Sequence, residues 1–139
     1  MFAEALVCLA LNVYHEARDQ PFIGQVAVAQ VVMNRVHDDR YPDDVCDVVT
    51  QGPTYSWKPD FPVRHRCQFS WYCDGKSDKT PDQTAWEQAL VIAQGVHTGN
   101  LDDFVEGATH YHATYVLPEW AESKTPVVQI GEHMFYRWD

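Results

Sequence analysis

The chain lacks a hydrophobic run long enough to cross a membrane. Its most apolar stretch, Ala3 to Val13, is short and broken by Glu4 and Asn12, whereas a spanning helix needs about 20 apolar residues. Membrane insertion is therefore not expected. The stretch carries no basic region and runs straight into a polar motif, so no signal peptide is visible. If the chain acts outside the cytoplasm, another agent releases it or a leader has been removed. Bases are scarce too: 10 Lys and Arg stand against 20 Asp and Glu, a formal net charge of −10. Phosphate backbones bind basic surfaces, so no nucleic-acid partner is expected. There is no Cys-x-x-Cys pair, no His-Glu-x-x-His and no Gly-x-Ser-x-Gly. The strongest local signals for a zinc site, a zinc protease and a serine hydrolase elbow are thus missing. No repeat, low-complexity tract or linker interrupts the 139 residues, which suit one domain over residues 1–139.

What is present is apolar and aromatic. Five Trp and seven Tyr can fill a core and leave a few rings to line a sugar or peptide cleft. Ala3 to Val13 reads as a helix buried on every side and running on to Ala17. Pro21 is placed to open a second helix, Phe22 to Val36, on which Gln30 and Asn34 share a face. Asp43 can cap a short helix ending at Val49. From Gln51 to Lys79 the chain is irregular, with Pro53, Pro59, Pro62 and Gly75; such segments in compact domains are usually functional loops. Thr80-Pro-Asp-Gln83 offers a cap, a first-turn proline and a capping-box glutamine. The helix it opens is expected to bury Trp86, Leu90 and Ala93 and to end near Gly95 or Gly99. Thr109 to Val116 reads as extended. Val127 to Ile130 and His133 to Trp138 flank Gly131-Glu132, a pair suited to a type II′ hairpin. Helices followed by a small antiparallel sheet make the fold class α+β. Of the four cysteines, Cys8 fits an inert core thiol, Cys67 and Cys73 can staple the loop between them, and the pairing stays open.

Three constellations can carry chemistry. Glu16 ends the apolar helix beside Tyr14, His15 and Arg18. A carboxyl at the edge of a core is desolvated, its pKa rises, and it can donate a proton near neutral pH, as a departing glycosidic oxygen requires. The alternative is a solvated glutamate paired with Arg18. In Cys67-Gln-Phe-Ser-Trp-Tyr-Cys73, a strand sends Gln68, Ser70 and Tyr72 to one side as a hydrogen-bonding cleft wall, with Phe69 and Trp71 packed inward. In Gly107-Ala-Thr-His-Tyr-His-Ala113, His110 and His112 face the same way on a strand. With His133 they can be written as a metal site, although hydrogen bonding within the site or to a sugar suits them better. No metal and no cofactor is expected.

Taken in order, these blocks carry a resemblance. Cys8-Leu-Ala-Leu-Asn-Val-Tyr-His-Glu-Ala-Arg18, Gln25 to Arg35, Tyr41 to Val49, Cys67-Gln-Phe-Ser-Trp71 with Cys73-Asp-Gly75, Gly107 to Ala113 and Ile130 to Tyr136 together resemble the SleB/CwlJ-type cell-wall hydrolases. That family is known from spore-cortex lysis and from phage and bacterial wall enzymes. The resemblance implies a lysozyme-like, lytic-transglycosylase-related domain acting on peptidoglycan glycan strands, with Glu16 as the catalytic acid. Asp19-Gln20 stands where relatives usually have Gly-Glu, and the loop Gln51 to Arg66 looks long; both touch the expected cleft rim. The implied reaction cuts the MurNAc–GlcNAc bond with one carboxylate, and Asp74 is the understudy should a hydrolase need a second. Gln68, Ser70, His110, Tyr111 and His112 are the expected substrate-binding residues. A monomer working at the wall, endolysin-like and cytoplasmic until released, fits these features. Two readings compete: a metal-dependent peptidoglycan amidase or peptidase using His110, His112 and His133, and a non-catalytic glycan-binding module.

Overall fold

The structure, a computed structural model, describes residues 3–139. Four helices come first: α1 (Glu4–Ala17), α2 (Phe22–Val36), α3 (Val45–Val49) and α4 (Gln83–His97). A two-stranded hairpin, β1 (Thr54–Tyr55) and β2 (Lys58–Pro62), interrupts them, and a three-stranded antiparallel sheet of β3 (His110–Ala113), β4 (Thr125–Ile130) and β5 (His133–Arg137) closes the chain in the order β3-β5-β4. The fold is the α+β arrangement expected, a helical lobe followed by a small sheet.

The helix enclosed on every side is α2, not α1. One cluster packs α1, α3 and α4 against α2 through Leu9, Val13, Val26, Val32, Val48 and Ile92. A second packs the opposite flank of α2, through Ala27, Val28 and Val31, onto Phe135 of the sheet. The N-terminal half of α1 is only half-buried at Ala5 to Cys8, because among the described residues no element covers its outer side. Buried polar groups on α2 need partners, and they find them in the segment leading into β3. Gln30 donates to the Asp102 carbonyl at 2.6 Å and accepts from the Phe104 N–H at 3.0 Å. Asn34 donates to the Ala108 carbonyl at 2.8 Å and Arg35 to that of Thr109 at 2.7 Å. The polar stripe of an otherwise apolar helix thus fixes where β3 begins.

Several local expectations shift. The short helix α3 is capped by Asp44, whose side chain accepts from the Asp47 N–H, and not by Asp43. Helix α4 is capped by Asp82, which accepts from Ala85, so the Thr80 cap and its capping box do not form. Ala89, Ile92, Ala93 and Val96 make its buried face, while Trp86 and Leu90 are half-buried. Cys8 is no free thiol: it is bonded to Cys46, tying α1 to α3, and Cys67 is bonded to Cys73. That second link closes a short loop in which Ser70–Cys73 winds into a 3₁₀ turn rather than the expected strand. Phe69 and Trp71 still pack inward, as expected. At the β4–β5 turn Gly131 has φ +57°, as a hairpin of this kind needs. There Gln20, one of the two unusual residues, accepts from the Glu132 N–H at 2.9 Å and joins the α1–α2 turn to the sheet.

Candidate active site

Glu16 lies in the last turn of α1 and Tyr111 at the middle of β3. The β3–β5 register pairs Tyr111 with Phe135, so both side chains face the helices. Tyr111 Oη donates to Glu16 Oε1 at 2.6 Å. Burial pushes the Glu16 carboxyl above its ordinary range; the Tyr111 bond and the Arg35 charge pull it back without cancelling the shift. Burial, then the neighbouring carboxylate, pushes the Tyr111 phenol well up, so it remains a donor. The pairing with Arg18 does not form. Arg18 turns back to the Tyr14 carbonyl at 3.2 Å and lies over the Tyr14 ring.

Two further buried polar residues lie near this pair, and both went unassigned in the sequence. Arg35 is 5% exposed and forms no ion pair with a carboxylate among the described residues. Its guanidinium rests between the Tyr41 and Phe69 rings, donates to the Thr109 carbonyl and places its positive charge behind Glu16 and Tyr111. Asn12, fully buried one turn before Glu16, accepts from Trp71 Nε1 at 2.9 Å. Its Nδ2 has no well-formed hydrogen bond and lies close enough to Tyr111 to favour the phenolate slightly. The signal for both was a polar residue inside an apolar helix, which must be satisfied by something distant in sequence.

Grooves of 580 and 280 Å³ meet at Glu16. The larger has Trp71, Tyr14 and His15 on one wall and Ser70, Asp74, Lys76 and Lys79 at its rim. His15 stacks on Trp71 at 4.8 Å, and its Nε2 donates to the Asp78 carbonyl at 3.1 Å, which pins the rim loop to α1. The smaller groove is bordered by Asp19, Gln20, Tyr115, Glu132 and His133. His133 packs against Tyr111 at 5.1 Å between centroids; its Nδ1 is buried without a partner, and burial lowers its pKa.

Of the residues singled out in sequence, Glu16 and Tyr111 come together, and Ser70 lies at the rim of the larger groove that Glu16 also lines. Gln68 is exposed and offers its Oε1 to Arg35 Nη1 at 3.4 Å. His110 and His112 alternate with Tyr111 and so face the other side of the sheet, where both pack on Trp120. His112 Nδ1 donates to its neighbour's carbonyl, which leaves Nε2 to accept from the Tyr136 hydroxyl at 2.8 Å. Burial, with the Arg35, Lys124 and Arg40 charges, pushes His110 down to about 4. His133 sits on the Tyr111 side, so the sheet divides the three histidines. Among the described residues no three His, Cys, Asp or Glu side chains converge as metal ligands. Asp74 shares the groove with Glu16, and its Oδ1 accepts from the Lys76 N–H at 2.8 Å.

The family model described as Cell Wall Hydrolase matches residues 19–136, beginning just after Glu16. The spore cortex-lytic enzyme of Halalkalibacterium halodurans is 33% identical over 128 residues, covering 91% of this chain and 33% of that protein. The enzyme of the same name from Bacillus subtilis is 28% identical over 127 residues, covering 91% of this chain and 35% of its own length. The chain therefore spans about a third of the length of these relatives. Among solved structures, the catalytic domain of the germination-specific lytic transglycosylase SleB from Bacillus anthracis superposes with a TM-score of 0.68 at 27% identity, covering 98% of this chain and 97% of that one. The Bacillus cereus SleB catalytic domain gives 0.67 at 27% identity, covering 99% and 93%.

Proposed function

The chain belongs to the cell wall hydrolase family, and from that premise we propose that it cleaves the MurNAc–GlcNAc backbone of peptidoglycan as a lytic transglycosylase, with Glu16 as its single acid and base. The observation that carries this reading is a desolvated carboxyl with a raised pKa, held by a phenol, at the point where two grooves meet. A glycan strand laid through both grooves puts a glycosidic oxygen over Glu16. The protonated carboxyl delivers its proton to the O4 leaving group as the C1–O4 bond breaks. The resulting carboxylate takes the proton from the muramic acid 6-hydroxyl, and O6 bonds to C1 as a 1,6-anhydro ring. No water is consumed, and the carboxyl returns to its starting state. Positive charge develops at C1 in the transition state. The carboxylate formed by proton transfer lies beside it, and Tyr111 with Arg35 stabilises that carboxylate. The similarity to a solved lytic transglycosylase domain over nearly the whole chain supports the reaction type.

The activity belongs at the cell wall, as an endolysin-like catalytic unit. The test is mass spectrometry of the soluble products from purified sacculi, with Glu16→Gln as control. Anhydro-muropeptides from the wild type alone are expected. Reducing-end muropeptides would replace this mechanism with hydrolysis and send the search for a second carboxylate to Asp74.

A further inference from the structure

The two grooves that meet at Glu16 differ in charge. Arg18, Lys76 and Lys79 face the larger one, opposed by Asp74 and Glu16. The smaller has only Arg18 against Glu16, Asp19 and Glu132. Collecting cations at one end of the cleft is notable in a chain with 10 bases and 20 acids. The lysine loop is also held in place. His15 donates to the Asp78 carbonyl, the Asp82 N–H donates to Tyr14 Oη at 3.1 Å, and Asp74 and Ser77 side chains accept from the Lys76 and Lys79 N–H groups. Behind it, the Arg64 guanidinium packs directly over Gly75, whose φ of +80° is a conformation that favours glycine. A loop fixed at both ends, with its cations beside an apolar Trp71 wall, suits a sugar ring that carries an anionic substituent.

Resting on the function proposed above, we propose that the Lys76–Lys79 arm of the cleft is a carboxylate subsite that recognises the acidic substituent of muramic acid and so selects acidic glycan over neutral glycan. Two sources present that chemistry: the lactyl carboxylate of muramic acid where no stem peptide is attached, and the carboxylates of the stem peptide where one is. A muramic δ-lactam presents neither, because its lactyl carboxyl is consumed in the ring.

Binding measured in a Glu16→Gln background tests this without relying on cleavage. Its partner is the same variant with Lys76→Gln and Lys79→Gln, and a Lys58→Gln, Lys124→Gln pair controls for net charge. Affinities are measured for intact sacculi, for sacculi stripped of stems by an amidase, and for glycan rich in δ-lactam. Two exposed ion pairs predict a loss of about fivefold for the groove variant and none for the control. Loss on intact sacculi alone identifies the stem carboxylates. Loss on stripped sacculi alone identifies the lactyl group, whose carboxyl is amide-bonded while a stem is attached, and loss on both but not on lactam glycan identifies a subsite that takes either carboxylate. An equal change on all three polymers, or on none, or the same loss in the control, overturns the subsite. Absence of any wild-type cleavage product would instead sink the proposed function.

Discussion

Replacing Tyr111 with Phe removes one atom from the site and keeps the ring that packs on Phe135 and His133. The lost hydroxyl donates to Glu16 Oε1 at 2.6 Å. A hydrogen bond to an ionised acceptor contributes about 1.5–3 kcal/mol, against about 0.5–1.5 kcal/mol for a neutral one. The bond thus favours the carboxylate over the carboxyl by about 1–1.5 kcal/mol, close to one pKa unit. In Tyr111→Phe the Glu16 pKa therefore rises by about one unit above its already raised value. Glu16 must be protonated to act as the acid, so activity falls as pH rises through its pKa. The alkaline limb of the kcat/KM profile should move up by that amount. The maximal rate should fall about tenfold, because the carboxylate formed during the reaction loses its donor. The assay is muropeptide release against pH, with circular dichroism checking the fold. A limb that stays put or moves down in a folded variant would refute the assigned coupling.

Glu16→Gln should abolish muropeptide release while stabilising the fold at neutral pH by about 1 kcal/mol, measured by denaturant titration. The folded-state pKa is raised, so the wild-type carboxylate costs stability above that value. The cost shrinks as pH falls and disappears below the ordinary carboxyl range, where folded and unfolded chains are both protonated. Arg35→Met leaves the Thr109 carbonyl without its donor and should cost about 1–3 kcal/mol in the same titration. It should also move the alkaline limb upward, since the Arg35 charge helps hold the Glu16 pKa down. The Cys8–Cys46 link has a sequence separation of 38 and the Cys67–Cys73 link one of 6. On loop entropy, serine pairs should cost about 4 and about 2 kcal/mol respectively. The second pair should lose more activity, because its loop carries Trp71 on the groove wall; equal losses would contradict that ranking.

Where local chemistry decides, the sequence was readable. Pro21 and a sustained apolar pattern bounded α2 at Phe22 and Val36. Gly131-Glu132 announced the β4–β5 turn, and the early apolar helix ending in Glu16 announced the acid. Competing local signals were resolved by neighbours that the sequence does not display. Thr80 and Asp82 are both good caps, and Asp82 is used because its own N–H is anchored on Tyr14 of another helix. The alternation through Cys67 to Cys73 suggested a strand, yet a disulfide across six positions pulls the segment into a 3₁₀ turn.

The sequence by itself determined the α+β order, the apolar helix that ends in Glu16 and the fact that His110 and His112 face the same way. It did so because periodicity and burial preference act over a few neighbouring residues. Only the tertiary structure decided which side of β3 meets α1. The covering of Phe135 and Tyr111 by α2 turns the phenol, not the imidazoles, toward Glu16. The same packing buries Arg35 behind the acid and gathers the lysines of a distant loop at one end of the cleft. Contacts between residues far apart along the chain depend on how whole faces fit together, and that fit is a property of the assembled core.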